Sequence, residues 1–95
     1  MKFVIKNEKR ENITVLMRKI GYHIWGQGFV RPIGSLPYPR FHIYLKENKK
    51  TNEITINLHL DQKKPSYKGV SAHSGEYEGK VVEKEIKRIK NELLR

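Results

Sequence analysis

Residues 41–61 read FHIYLKENKKTNEITINLHLD, and the alternation within this stretch decides the fold. Phe41, Ile43 and Leu45 alternate with His42, Tyr44 and Lys46, while Ile54, Ile56, Leu58 and Leu60 alternate with Thr55, Asn57, His59 and Asp61. Successive side chains of a strand point to opposite faces, so this pattern predicts two half-buried strands. The polar run from Glu47 to Glu53 suits a hairpin loop, and matching the two apolar sets places Lys46 opposite Glu53. The same pairing gathers His42, Tyr44, Asn57, His59 and Asp61 on the face away from the core.

Upstream, Pro32, Gly34, Ser35, Pro37 and Pro39 crowd together, which predicts a stiff loop rather than a ladder strand. Before it, Tyr22 to Arg31 is aromatic and β-branched with Gly26 and Gly28 two apart, as in one strand that bends or admits another backbone closely. A Gly-x-Gly without a third glycine and a following helix is no phosphate loop. From Asn7 to Gly21 the spacing of Ile13, Leu16, Met17 and Ile20 makes one apolar helical stripe, with Asn7 available as N-cap and Gly21 as the left-handed stop. Lys2 to Ile5 is either a short leading strand or an apolar arm.

Downstream, residues 62–80 show no sustained periodicity and predict a long loop, mobile or functional. Val82, Ile86, Ile89 and Leu93 then recur at helical spacing, so Val81 to Arg95 predicts a terminal amphipathic helix. The expected architecture is a single α+β domain over residues 1–95 in the order α-β-β-β-α. Two helices pack on one face of a three-stranded antiparallel sheet, with residues 1–6 as a possible extra strand or arm.

Composition narrows the function. A chain of 95 residues leaves no room for a second core, and 37% hydrophobic content suffices for one. The absence of cysteine excludes a disulfide framework and a thiolate zinc site. No stretch has the apolar length of a signal peptide or a membrane span, so a soluble, cytoplasmic protein with no membrane partner is expected. Lysine and arginine number 20 against 10 acidic residues, a formal charge of +10 that attracts polyanions. Nucleic acid, RNA in particular, is the expected partner. Lysine-rich surfaces also serve stability in heat-adapted proteins.

The run from Leu16 to Tyr22, followed by Arg31 and the pair Gly34-Ser35 ahead of an aromatic strand, is similar to the front half of the HicA family of toxin ribonucleases. The order of elements also resembles the double-stranded RNA-binding domain, which shares that fold. The resemblance spans Ile13 to Leu60, and it implies an RNA-acting protein, in the HicA case a metal-independent endoribonuclease. Where the HicA family carries its catalytic histidine, after the Gly-Ser pair, this chain has Leu36, so that histidine is not carried over. His42 is the nearest histidine. The lysine pair that opens the last helix of the double-stranded RNA-binding domain is replaced by Gly79-Lys80-Val81-Val82.

Histidine titrates near neutral pH, and metal-free RNA cleavage needs one group to accept the 2′-hydroxyl proton and another to protonate the leaving oxygen. His42 and His59 form the candidate catalytic pair, with Arg40 or Lys63 beside the phosphate. The competing account is ordinary polar surface. His42, His59, Asp61 and His73 form a nitrogen–oxygen set that could hold a metal ion, although their spacing is unspecific. For nucleic-acid binding the candidates are Arg40, Lys63, Lys64, Tyr67, Lys68, His73, Tyr77 and Lys80, where cations interleave with rings as phosphates and stacked bases require. A plain surface loop is the alternative. Trp25 and Phe29 are expected to pack rather than to stack bases.

The expectation is thus a small basic RNA-binding protein that grips phosphates through a lysine-rich loop and helix, with no cofactor. Its alternatives are a HicA-like endoribonuclease using a histidine pair, and a module that binds a partner protein at an exposed sheet edge.

Overall fold

The computed structural model describes residues 1–62 and 75–93. The chain runs β1 (Lys2–Lys6), α1 (Ile13–Lys19), β2 (His23–Trp25), β3 (Gly28–Pro32), β4 (Arg40–Asn48), β5 (Glu53–Asp61) and α2 (Gly75–Leu93). The strands form one five-stranded sheet in the order β1-β5-β4-β3-β2, every neighbouring pair antiparallel.

This corrects the expected three-stranded sheet. The two helices are present, but two further strands come from the leading segment, left as strand or arm, and from the Tyr22–Arg31 stretch, expected as one strand. Lys2–Lys6 pairs along β5, Phe3 opposite Ile56 and Ile5 opposite Ile54, so the leading segment is a strand and not an arm. The aromatic stretch expected as one bent strand is a tight hairpin. Gly26, at φ +57, and Gln27 make its turn, and β2 folds back on β3 with Trp25 opposite Gly28. A turn with a central residue in the left-handed region favours glycine, which explains the first of the two glycines.

The long β4–β5 hairpin keeps the expected faces but not the expected register. Lys46 lies opposite Thr55 and Asn48 opposite Glu53, a two-residue shift that leaves every side chain on its face. Asn52, at φ 60, takes the left-handed position in the connection.

Phe41, Ile43, Ile54, Ile56 and Leu58 point to one side of the sheet and meet Leu16, Met17 and Ile20 of the α1 segment and Val82 and Ile89 of α2. Both helices therefore cover this face, and among the described residues no helix covers the other, the open face. The α1 helix starts later than its sequence pattern suggests. Asn12, not Asn7, is its N-cap, accepting from the Val15 amide at 3.2 Å. Asn7 instead closes the preceding turn, its amide group donating to the Glu11 carbonyl and accepting from the Glu11 N–H. Gly21, at φ +90, ends the helix as expected. α2 begins at Gly75, six residues ahead of the Val81 start that its apolar pattern suggested.

One polar cluster is buried on the helix side. Glu85 of α2 is 4% exposed. Its carboxylate accepts from the Tyr22 hydroxyl at 2.7 Å and from Arg88 at 2.8 Å, with Arg31 at 3.5 Å. Arg88 also donates to the Ile20 carbonyl at 2.6 Å. A buried carboxylate is tolerated only when so satisfied, and here the partners come from α2, β3 and the segment after α1. The cluster ties α2 to the rest of the fold. Burial, with the Glu85 carboxylate as hydrogen-bond acceptor, raises the Tyr22 hydroxyl far above the usual tyrosine range. Among the described residues, no helix is long and apolar enough to cross a membrane.

Candidate nucleic-acid interface

Cross-strand partners in an antiparallel sheet share a face, so the register places each open-face side chain. One row runs His23, Val30, His42 and His59 across β2, β3, β4 and β5. Beside it lie Tyr44 and Asn57, with Lys2 as Asn57's partner on β1, and on the other flank Arg40 opposite Asp61. Val4, Lys6, Lys46, Thr55 and Glu53 complete the face by the same alternation. His59 and His23 are exposed and Tyr44 is 44% exposed. His42, between them, is only 6% exposed.

The burial of His42 has identifiable causes. Gly28 of β3 approaches so closely that a Cβ there would collide with the Ile43 carbonyl oxygen and stand 3.2 Å from His42 Nε2. Trp25, the cross-strand partner of Gly28, meets the His42 ring edge-on, centroids 5.5 Å apart. Tyr44 flanks the other side at 4.5 Å. His42 Nδ1 lies 3.1 Å from Asp61 Oδ2, and the same oxygen accepts from Arg40 Nε at 3.3 Å. Arg40, also 6% exposed, has its guanidinium 4.2 Å from the Trp25 ring and 4.4 Å from the Tyr38 ring. Such cation–π contacts hold a guanidinium plane in one orientation. Among the described residues, His42 Nε2 is a buried atom with no hydrogen-bond partner.

The expected catalytic pair is thus adjacent but unequal. His42 and His59 are direct cross-strand partners. His59 is open to solvent, whereas His42 has Nδ1 committed to Asp61 and Nε2 sealed. Partial desolvation, reinforced by the N-terminal ammonium, lowers the His59 pKa from its ordinary 6.5. Asp61 acts as the orienting carboxylate for both Arg40 and His42. Among the described residues, no group of three or more His, Asp or Glu side chains is placed to hold a metal ion, and His73 lies outside them.

Of the other candidates, Lys63, Lys64, Tyr67 and Lys68 also lie outside the described residues. Tyr77 falls in the first turns of α2, where only the backbone is described. Lys80 is exposed on α2 and, with the exposed Lys84 and Lys87, forms a stripe at helical spacing. Phe29 packs against the core as expected, but Trp25, 46% exposed, belongs to the open face instead. Trp25 and Tyr38 were missed as parts of the site. The signal for Trp25 was the Trp-Gly-Gln-Gly sequence, since a turn at its centre pairs the tryptophan with a residue without a side chain.

A groove of about 320 Å³ lies elsewhere, between β1, α1 and the end of α2, with lysines and glutamates alternating along its rim. Comparison with known proteins finds no match: no family model matches the chain, nor does any curated protein or solved structure.

Proposed function

We propose that this chain is a small basic RNA-binding protein that lays single-stranded or locally opened RNA across the open face of its sheet. The observation that carries the reading is the composition of that face. Tyr44, His59 and His23 present exposed rings, and Lys2, Lys6 and Lys46 stand around them on the same side. Rings on which bases stack, set among cations that meet phosphates, are the two parts that single-strand binding needs. The α2 stripe of Lys80, Lys84 and Lys87 and the lysines at 63, 64 and 68 add phosphate contacts, in keeping with the formal charge of +10.

The test is the salt dependence of binding to a labelled single-stranded RNA, followed by fluorescence anisotropy. Affinity falls steeply with salt, and changing Lys2, Lys6 and Lys46 together to alanine lowers the logarithmic slope by roughly two to three. Binding that is undetectable at low salt, or indifferent to salt, removes the proposal.

A ribonuclease reading, in line with the HicA resemblance, draws support from the adjacency of His42 and His59. It requires His42 Nε2, now sealed, to reach the RNA.

A further inference from the structure

We infer that Arg40, His42 and Asp61 form the floor of a slot for one unstacked nucleobase, and that Trp25 covers this slot while no RNA is bound. The inference rests on the RNA-binding reading and specifies what one part of that surface recognises.

The first support is the orphaned nitrogen. With Nδ1–H donated to Asp61, a neutral imidazole presents a lone pair at Nε2. That acceptor is buried and, among the described residues, unpartnered, an unfavourable arrangement that a donor from a ligand relieves. His42 is more than nine-tenths buried, its Nε2 lies beside Gly28, and the Trp25 indole stands edge-on to the same ring.

The second support is the cover itself. Trp25 belongs to an edge strand of three residues, and its ring is 46% exposed. It stacks on the Arg40 guanidinium at 4.2 Å and stands at 86° to the His42 ring. A nucleobase is a planar ring of similar size. In the place of the indole it stacks on the same guanidinium and directs one edge at His42, with a ring or exocyclic N–H donated to Nε2. Each base carries N–H donors or acceptors along its edges, so an edge directed at His42 can bring an N–H to Nε2. Asp61 holds both side chains in position whether the cover is open or closed.

The third support is the contrast along the row. His59 and His23 lie exposed at its ends, and of the two buried central positions Val30 is apolar while His42 buries a polar ring whose Nε2 has no partner among the described residues.

The experiment measures binding of a single-stranded RNA hexamer of mixed sequence to the wild type, Trp25→Ala, His42→Phe and the double variant. A cover that is closed nine-tenths of the time reduces apparent affinity about tenfold, so Trp25→Ala binds about tenfold more tightly. His42→Phe keeps the ring but not the acceptor, and it cancels that gain in the double variant. In parallel, ¹⁵N-histidine spectra of the wild type follow Nε2 of His42 as RNA is added, a readout that needs no variant to fold. A large shift of that resonance is expected. Weaker binding by Trp25→Ala, or an unmoved Nε2 resonance in RNA-saturated protein, overturns the slot and leaves the RNA-binding reading standing. A wild type that does not bind the hexamer at low salt overturns both.

Discussion

His42 Nδ1 and Arg40 Nε share a single acceptor, Asp61 Oδ2, across the β4–β5 ladder at 3.1 and 3.3 Å. Two side chains that are 6% exposed thus depend on one carboxylate from the neighbouring strand. Asp61→Asn keeps an oxygen but loses the charge that balances the buried guanidinium. A loss of about 1–3 kcal/mol is expected, since a buried donor is left with a weaker partner. Urea denaturation measures it, and an unchanged midpoint would show that Arg40 finds another partner.

Gly28 and Gly34 make a matched pair for testing the close approach of β3 to β4. A Cβ at Gly28 meets the Ile43 carbonyl oxygen, which is backbone and cannot swing away, while a Cβ at Gly34 meets nothing within 4 Å. Gly28→Ala should therefore destabilise the protein by about 1–3 kcal/mol through overpacking. Gly34→Ala should remain within about 0.5 kcal/mol of the wild type. Equal thermal midpoints for the two variants would contradict the geometry at Gly28.

Tyr22 and Glu85 link pH to stability at the alkaline end. In the unfolded chain the tyrosine hydroxyl ionises near pH 10, as roughly expected for model peptides. In the fold, burial and the adjacent Glu85 carboxylate raise that pKa. The unfolded state thus releases its proton first, so the contribution is fully present below about pH 10 and is lost as pH rises above it. Tyr22→Phe should cost about 1 kcal/mol at pH 8 by removing one donor to Glu85. It should also flatten the decline in stability between about pH 10 and 11. Chemical denaturation at both pH values tests this, and parallel declines in variant and wild type would refute it.

The faces of β4 and β5 were legible because alternation over Phe41–Leu45 and Ile54–Leu60 is long enough to fix parity. His42, Tyr44, Asn57, His59 and Asp61 do share one face. The exact register was not legible, because pairing Lys46 with Glu53 and pairing it with Thr55 both satisfy the same alternation. That β1 is a strand rather than an arm, and that β2 is a strand separate from β3, was not legible for a different reason. Each is three to five residues long, and their strand character comes from a partner far away in the chain, Ile54 and Ile56 for β1. Burial of His42 was invisible for the same reason. It depends on Trp25 and Gly28, 17 and 14 positions away in the chain, meeting His42, and no local pattern records that. Asn7 and Asn12 are equally good capping residues by type, and only the turn closed by Asn7 on Glu11 decides between them.

The two histidines of β4 and β5 also predict what the protein does to the RNA it binds. A general base or acid must come within about 3 Å of the proton it moves. In His42, Nδ1 is held by Asp61 and Nε2 is enclosed, and a base entering the slot would occupy Nε2 with its own N–H. His59 is the one of the pair left free, and desolvation with the N-terminal ammonium lowers its pKa, which disfavours its charged form. One accessible histidine supplies half of the chemistry. RNA incubated with the wild type in the presence of a chelator should therefore remain full length from pH 5 to pH 9 on a denaturing gel. The same lowered pKa gives the sign of an acid effect: between the depressed value and 6.5 the unfolded chain binds the proton more tightly, so stability conferred at His59 is present above pH 6.5 and is lost as pH falls below it. His59→Gln should flatten that decline without creating or abolishing cleavage. Cleavage with a bell-shaped pH profile that disappears in both His42→Ala and His59→Gln would show instead that Nε2 of His42 opens to the 2′-hydroxyl, and the protein would then be a ribonuclease.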